Sequence, residues 1–161
     1  MKFVTIILNL NVEVGKAMFY DIVLFIHVLT AIGSIGPLFA MFFMLKRMKN
    51  IEESKLLGVI EGLLGAIRTV EVSGHWLVPS GVVLILLGPW KFTTSWVLAT
   101  IVLLLLTLIY LAKAFKPAKR LIGTERFTRE QFIQSMKKAT FFYSLIMLTL
   151  LWLMVAKPVL W

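Results

Sequence analysis

The chain has 161 residues, of which 60% are hydrophobic and only 16% are charged, and its mean hydropathy is +0.92. Soluble domains have about half apolar and about a quarter charged residues, so this composition excludes an ordinary soluble domain and predicts helices that cross a bilayer. The lack of cysteine excludes disulfides, thiolate metal ligands, iron–sulfur clusters and covalent haem attachment, while the formal charge of +9 has to be interpreted from where the charges lie.

The N-terminal segment, residues 1–17, differs from the rest of the chain because polar residues interrupt its short apolar run. Alternating apolar residues in its second half indicate an extended conformation. We therefore expect an N-terminal extension on the outer face, followed by a membrane domain over residues 18–161. Met18 is an alternative start of the protein.

Four apolar segments of about the length that a bilayer requires predict four membrane-spanning helices. Their expected bounds are residues 19–45, 69–89, 95–112 and 139–156. An amphipathic cytoplasmic stretch is expected to lead into the second span, and Pro79 is expected to kink it, since proline removes a backbone hydrogen bond. The predicted fold class is all-α, a four-transmembrane-helix bundle.

The basic residues are distributed unevenly between the two sides of these spans. Four lie in the first loop, between Lys46 and Lys55, and eight lie between Lys113 and Lys138. The other side holds Lys2, Lys16, Lys91 and Lys157. Because cytoplasmic loops carry the excess of Lys and Arg, both termini are expected outside, in a bacterial inner membrane. The basic loops are explained by topology and contact with anionic lipid, so no nucleic acid partner is expected.

The only two histidines, His27 and His75, fall within apolar helical segments. Ionisable residues inside a membrane are costly, which makes them candidates for function. Neutral imidazoles are common axial ligands of haem iron, so the pair could hold a haem b. The alternatives are a His27/Met147 pair, or two histidines that only bond neighbouring helices. The expected difference in depth between the two histidines argues against bis-histidine ligation.

Arg68 and Glu71 precede His75 on the same helical face, seven and four residues earlier. Three roles are open to them: a partner for a haem propionate (Arg68), a proton path, or an ion pair at the cytoplasmic boundary. No phosphate loop, nucleophile elbow, zinc-protease helix or dinucleotide fingerprint occurs, so no catalytic residue is assigned and enzyme activity stays open.

The segment Tyr20–Gly33, with His27 followed by small residues, resembles the first helix of small bacterial four-helix membrane proteins. That group comprises an uncharacterised integral membrane family, the membrane domain of copper-resistance D proteins, and the J-type protoporphyrinogen oxidase. The resemblance implies a four-helix bundle and haem handling through His27. The oxidase also has a lysine shortly after a tryptophan in its third helix, whereas here no lysine lies between Trp96 and Lys113. That departure argues against porphyrinogen oxidation.

Two functional hypotheses follow from the sequence. The first is a haem-binding or redox-associated membrane protein that uses His27 with or without His75. The second is a non-catalytic scaffold or accessory subunit, which would have a membrane-protein partner or form a homo-oligomer. A small transporter is a weaker alternative because no inverted repeat is visible.

Overall fold

A computed structural model describes residues 2–122 and 128–160 of the chain, and every regular element within them is a helix. In chain order they are α1 (Lys2–Arg47), a 3-10 turn (Met48–Asn50), α2 (Glu53–Leu87), α3 (Ser95–Ala114), the short α4 (Lys116–Leu121) and α5 (Arg129–Ala156). The predicted all-α fold with four long helices is confirmed.

Contacts at the two ends of the bundle show that neighbouring long helices run in opposite directions. At one end, Arg129 at the start of α5 bonds the carbonyl of Ile51, between α1 and α2. At the other end, the Ser95 hydroxyl at the start of α3 bonds the Pro158 carbonyl and accepts from the Leu160 amide. We call these the basic end and the tryptophan end, since Trp90 and Trp96 lie at the second. Because α3 begins at the tryptophan end and is followed by Phe115, which packs on Tyr143 in the middle of α5, it runs along the half of α5 nearest the tryptophan end.

Three stretches are long and apolar enough to cross a bilayer, judged by length and composition: Glu13–Asn50, Glu53–Leu87 and Arg129–Ala156. The fourth long helix, α3, has 20 residues, and at 1.5 Å per residue it is about 30 Å long, close to the hydrocarbon thickness. α2 is one continuous helix through Pro79, so the predicted amphipathic lead and the second span belong to a single helix.

The first helix is longer than predicted. α1 begins at Lys2, not near residue 19, so the extended conformation indicated by the N-terminal alternation is wrong. Alternation over so few residues is weak, and it loses here to the propagation of a long helix, in which each added residue gains a backbone hydrogen bond. At 46 residues α1 is about 69 Å long, more than twice the hydrocarbon core.

The core is built from residues that recur at alternating intervals of four and three along three helices. The buried positions with this spacing are Ser34, Leu38, Met41, Leu45 and Met48 in and just after α1; Leu56, Ile60, Leu63, Ile67 and Val70 in α2, with Leu77 a further seven residues on; and Met136, Thr140, Tyr143, Met147 and Leu150 in α5. A seven-residue repeat keeps one seam of each helix facing its neighbours and favours left-handed packing at small crossing angles.

Large apolar side chains outside this seam face outwards. Phe25 and Phe43 of α1 are 68% and 73% exposed, and Trp76 of α2 is 64% exposed. In water such an apolar surface would favour aggregation, whereas in a bilayer its contact with lipid tails carries no free-energy penalty. The exposed faces are therefore those expected of a bundle surrounded by lipid.

Close backbone approach between α1 and α2 depends on small residues. A β-carbon placed on Gly33 would lie 2.5 Å from Ser73 Oγ and 3.3 Å from Ser73 Cβ, whereas one placed on Gly36 would meet nothing within 4 Å. Gly33 thus faces α2, as its position among small residues predicts. α3, by contrast, packs mainly against α5, and this leaves space between α3 and the α1–α2 pair.

Candidate functional site

That space is a cavity of about 220 Å³ in the tryptophan-end half of the bundle. We call it the His27 cavity, because His27 is the buried titratable side chain in its wall. Helices α1, α2, α3 and α5 all contribute to its wall. Among its lining residues are Tyr20, Leu24, Leu77, Gly81, Ile85, Trp90, Trp96, Thr100, Leu104, Met154 and Lys157. The wall is mostly apolar, which is typical of pockets for small molecules with few polar groups.

His27 is held in the cavity wall by a hydrogen bond between helices. Its ring nitrogen Nδ1 lies 3.0 Å from the Ser80 hydroxyl of α2, in a buried contact. The ring fits there because residue 81 is glycine: a β-carbon at Gly81 would lie only 3.1 Å from His27 Cε1. Thus the position of the imidazole depends on two small residues of α2 that sequence analysis did not assign to it.

The hydrogen bonds of Ser80 bear on which nitrogen of His27 carries the proton. Ser80 Oγ lies 2.7 Å from the Trp76 carbonyl oxygen and 3.0 Å from that of Leu77, and its single proton can bond one of them. With that proton on a carbonyl, Ser80 accepts from His27, so Nδ1 is the donor and the neutral ring keeps its lone pair on Nε2. In this tautomer a ring in the cavity wall carries one hydrogen-bond acceptor or ligand atom.

The tryptophan end of the cavity combines aromatic rings with one positive charge. Trp90 and Trp96 pack edge to face with ring centroids 5.1 Å apart at 81°. The Lys157 ammonium lies 4.7 Å from the Trp90 ring centroid and 6.0 Å from that of Trp96, within the range of a cation–π contact. Lys157 reaches this position because it adopts a left-handed conformation (φ 45°) that ends α5.

The structure does not bring His75 to the cavity. Its side chain is exposed, and its Nδ1 bonds the carbonyl of Glu71 in its own helix at 2.6 Å. His75 precedes Ser80 by five residues, which places it about 140° around α2 and about 7.5 Å further along the axis. That offset agrees with the difference in depth expected from the sequence. His27 and His75 therefore do not face a common space.

The other two candidates, Arg68 and Glu71, are also separate from the cavity. Glu71 Oε1 pairs with Lys119 Nζ of α4 at 3.0 Å, and both side chains are about 40% exposed. Arg68 is exposed and takes part in no ion pair among the described residues. The ion pair considered for Arg68 and Glu71 thus forms with a different cation, one that lies 48 residues away in the sequence.

The residues around His27 meet one requirement of a haem site and fail two others. The Ser80 bond orients the ring as outer-shell partners of metal-bound histidines do. However, a volume of about 220 Å³ is below the roughly 300–1,000 Å³ of pockets for drug-sized ligands, and a porphyrin is larger than most of these. No second imidazole faces the cavity, Met147 is buried in the core, and the described residues contain no group of three metal-ligating side chains. In this conformation the cavity is smaller than a porphyrin and has one imidazole in its wall, so haem binding stays a prediction of the sequence.

Four residues that matter for the cavity were not assigned by sequence analysis: Ser80, Gly81, Met154 and Lys157. Ser80 and Gly81 follow Pro79, which leaves the His75 carbonyl without its backbone donor. The Ser80 hydroxyl bonds the carbonyls of Trp76 and Leu77 and not that of His75, so the proline does not mark its role. No local signal distinguishes Met154 from the other methionines.

Searches of protein-family models, of curated proteins and of solved structures find no match to this chain. The functional argument therefore depends on the geometry of the His27 cavity.

Proposed function

We propose that this protein is a multi-pass membrane protein that binds a small, mostly apolar molecule carrying a hydrogen-bond donor in the His27 cavity. The observation that supports this function is the His27–Ser80 bond, because it leaves an acceptor nitrogen on a ring in the cavity wall. A hydroxyl or N–H group of the ligand would bond this nitrogen, and the remainder of the ligand would contact the apolar wall.

The selectivity expected of such a site follows from the cost of a buried polar group. A ligand without a donor leaves the imidazole lone pair unpaired in an apolar cavity, and a neutral hydrogen bond contributes about 0.5–1.5 kcal/mol. We therefore expect the donor to improve affinity roughly 2–10-fold over an analogue of the same shape. A ligand with a negative group at the tryptophan end of the cavity would gain a further contact with Lys157.

A pair of probes that differ only in the hydroxyl tests this function. We expect 1-naphthol to raise the unfolding temperature of the purified protein more than naphthalene does, since binding to the folded state stabilises it. His27→Leu should abolish the difference between the probes. His75→Leu serves as the control, because it also removes an imidazole from an apolar stretch of helix, but one that lies outside the cavity.

The outcome for these variants distinguishes the cavity from general partition into detergent. If naphthol and naphthalene act equally on the unaltered protein, or if His75→Leu has the same effect as His27→Leu, the proposed function is wrong.

We further propose that both termini lie outside and that the basic end faces the cytoplasm of a bacterial inner membrane, on the basis of the charge asymmetry. Since the chain has no cysteine, single cysteines report topology directly. A cysteine replacing exposed Lys116 should react with an impermeant thiol reagent only after the membrane is opened, whereas one replacing exposed Thr93 should react in intact cells. The reverse pattern would invert the topology.

Haem binding and a scaffold role stay predictions of the sequence. An absorption spectrum of protein produced with ample haem tests the first: a Soret band lost in His27→Leu would favour haem over the smaller ligand. For a scaffold role no residue of the His27 cavity is required, so a partner retained by His27→Leu would favour that hypothesis.

A further inference from the structure

A second cleft lies at the basic end of the bundle, far from the His27 cavity. Its volume is about 470 Å³, and it is bounded by the 3-10 turn after α1 and the first turns of α5. The residues that line it are Lys49, Thr128, Arg129, Glu130, Ile133, Gln134 and Lys137. Three of these seven carry a positive charge and one carries a negative charge, so the cleft favours an anion.

The three cations differ in the hydrogen bonds and ion pairs that they already form within the protein. Arg129 bonds the Ile51 carbonyl at 2.9 Å and pairs with Glu53, so it fixes the start of α5 against the start of α2. Lys49 and Lys137 form no ion pair among the described residues. The carboxylate of Glu130 is partly engaged, because it accepts from Gln134 Nε2 at 3.4 Å. Two lysines are therefore available to an anionic group, opposed by one carboxylate.

An apolar stripe leads away from this cleft along α5. Starting at Lys137, residues on the same helical face follow at intervals of four or three: Phe141, Leu145, Leu148 and Trp152. All four side chains are exposed: Phe141 and Trp152 are each 56% exposed, Leu145 is 53% exposed and Leu148 is 44% exposed. The stripe begins where the charged cleft ends. A molecule with an anionic head and apolar chains would match both parts.

We propose that the cleft at the basic end binds the phosphate of an anionic phospholipid, with Lys49 and Lys137 as its cations and the acyl chains along Phe141, Leu145 and Leu148. Charge complementarity supports the headgroup, since basic pockets at the ends of membrane helices bind lipid phosphates. Continuity of the stripe supports a lipid as the occupant, because a free anion would use the lysines alone. This inference is independent of the ligand proposed for the His27 cavity.

Native mass spectrometry of the full chain in detergent tests the lipid site, with phosphatidylglycerol and phosphatidylcholine as probes. We expect the protein to retain phosphatidylglycerol preferentially. The double variant K49Q/K137Q should weaken this binding about tenfold or more, since each basic residue near a membrane surface contributes on the order of a factor of five. Glu130→Gln should strengthen it severalfold, because it removes the opposing carboxylate.

The control is K113Q/K116Q, which removes the same charge from two exposed lysines outside the cleft. It should leave phosphatidylglycerol binding within about twofold, because neither lysine lines the cleft. Equal retention of the two lipids by the unaltered protein, or equal losses in the two double variants, would overturn the proposal. Displacement of the lipid by millimolar glycerol phosphate would also overturn it, since the acyl stripe would then contribute nothing.

Discussion

The two halves of this bundle are packed differently. Towards the basic end, Leu45, Met48, Leu63, Ile67 and Phe132 are completely buried between the helices, and the cleft at this end lies beside them. Towards the tryptophan end, α3 departs from the α1–α2 pair, and the space between them forms the His27 cavity. The interior of the first half is packed, whereas the interior of the second half holds a cavity.

This difference shows how a membrane bundle can combine stability with an internal cavity. Lipid tails are as apolar as leucine, so burial by itself does not drive helices together, and tight packing has to provide the stability. The packed half provides that contact. The half that contains the His27 cavity can therefore have fewer contacts between helices, and the bundle stays folded.

The largest expected effect is in the packed half. Leu63→Ala should lower the free energy of unfolding by roughly 2–5 kcal/mol, because a completely buried side chain leaves a void that the neighbours refill only in part. Leu57→Ala, on the same helix but 64% exposed, is the control and should change it by less than about 0.5 kcal/mol. Equilibrium unfolding in mixed micelles measures both. Similar losses of free energy for the two variants would mean that the buried face of α2 contributes no more to stability than its exposed face.

A smaller loss is expected where α1 and α2 approach most closely. Gly33→Leu should destabilise the bundle by about 1–3 kcal/mol, since even a β-carbon there overlaps Ser73. Gly36→Leu introduces the same side chain three residues later, into open space, and should be tolerated. The comparison needs only thermal unfolding in detergent. If Gly33→Leu has the same unfolding temperature as the unaltered protein, then α1 does not contact α2 at this residue.

The smallest effect concerns hydroxyl groups, and here the sign should differ between the halves. Ser80→Ala removes the partner of His27 and should cost about 0.6 kcal/mol and at most about 1.7 kcal/mol, the average and the largest values for hydrogen bonds between membrane helices. Ser34→Ala removes a buried hydroxyl that has no hydrogen-bond partner among the described residues, so it should be neutral or slightly stabilising. Combining Ser80→Ala with His27→Leu should cost less than the sum of the two single changes. Additive losses would show that the two side chains are not coupled.

The sequence by itself determined the class of fold. Apolar segments of bilayer length, separated by basic loops, leave helices as the structure that satisfies the backbone in lipid, and the structure has these helices. It also singled out His27, because an imidazole in an apolar helix has a cost that needs a reason. His75 satisfied the same criterion equally well, and only the resemblance of the segment Tyr20–Gly33 to known membrane proteins favoured His27.

Only the tertiary structure decided which histidine faces inwards. In a soluble helix the polar face shows which side is exposed, but in a membrane helix both the lipid face and the bundle face are apolar, so periodicity carries little of this information. The partner of Glu71, the role of Ser80 and Gly81, and the departure of α3 likewise depend on how helices distant in the sequence pack together. Those contacts form between residues such as His27 and Ser80, which are 53 positions apart, and no local pattern in the chain records them.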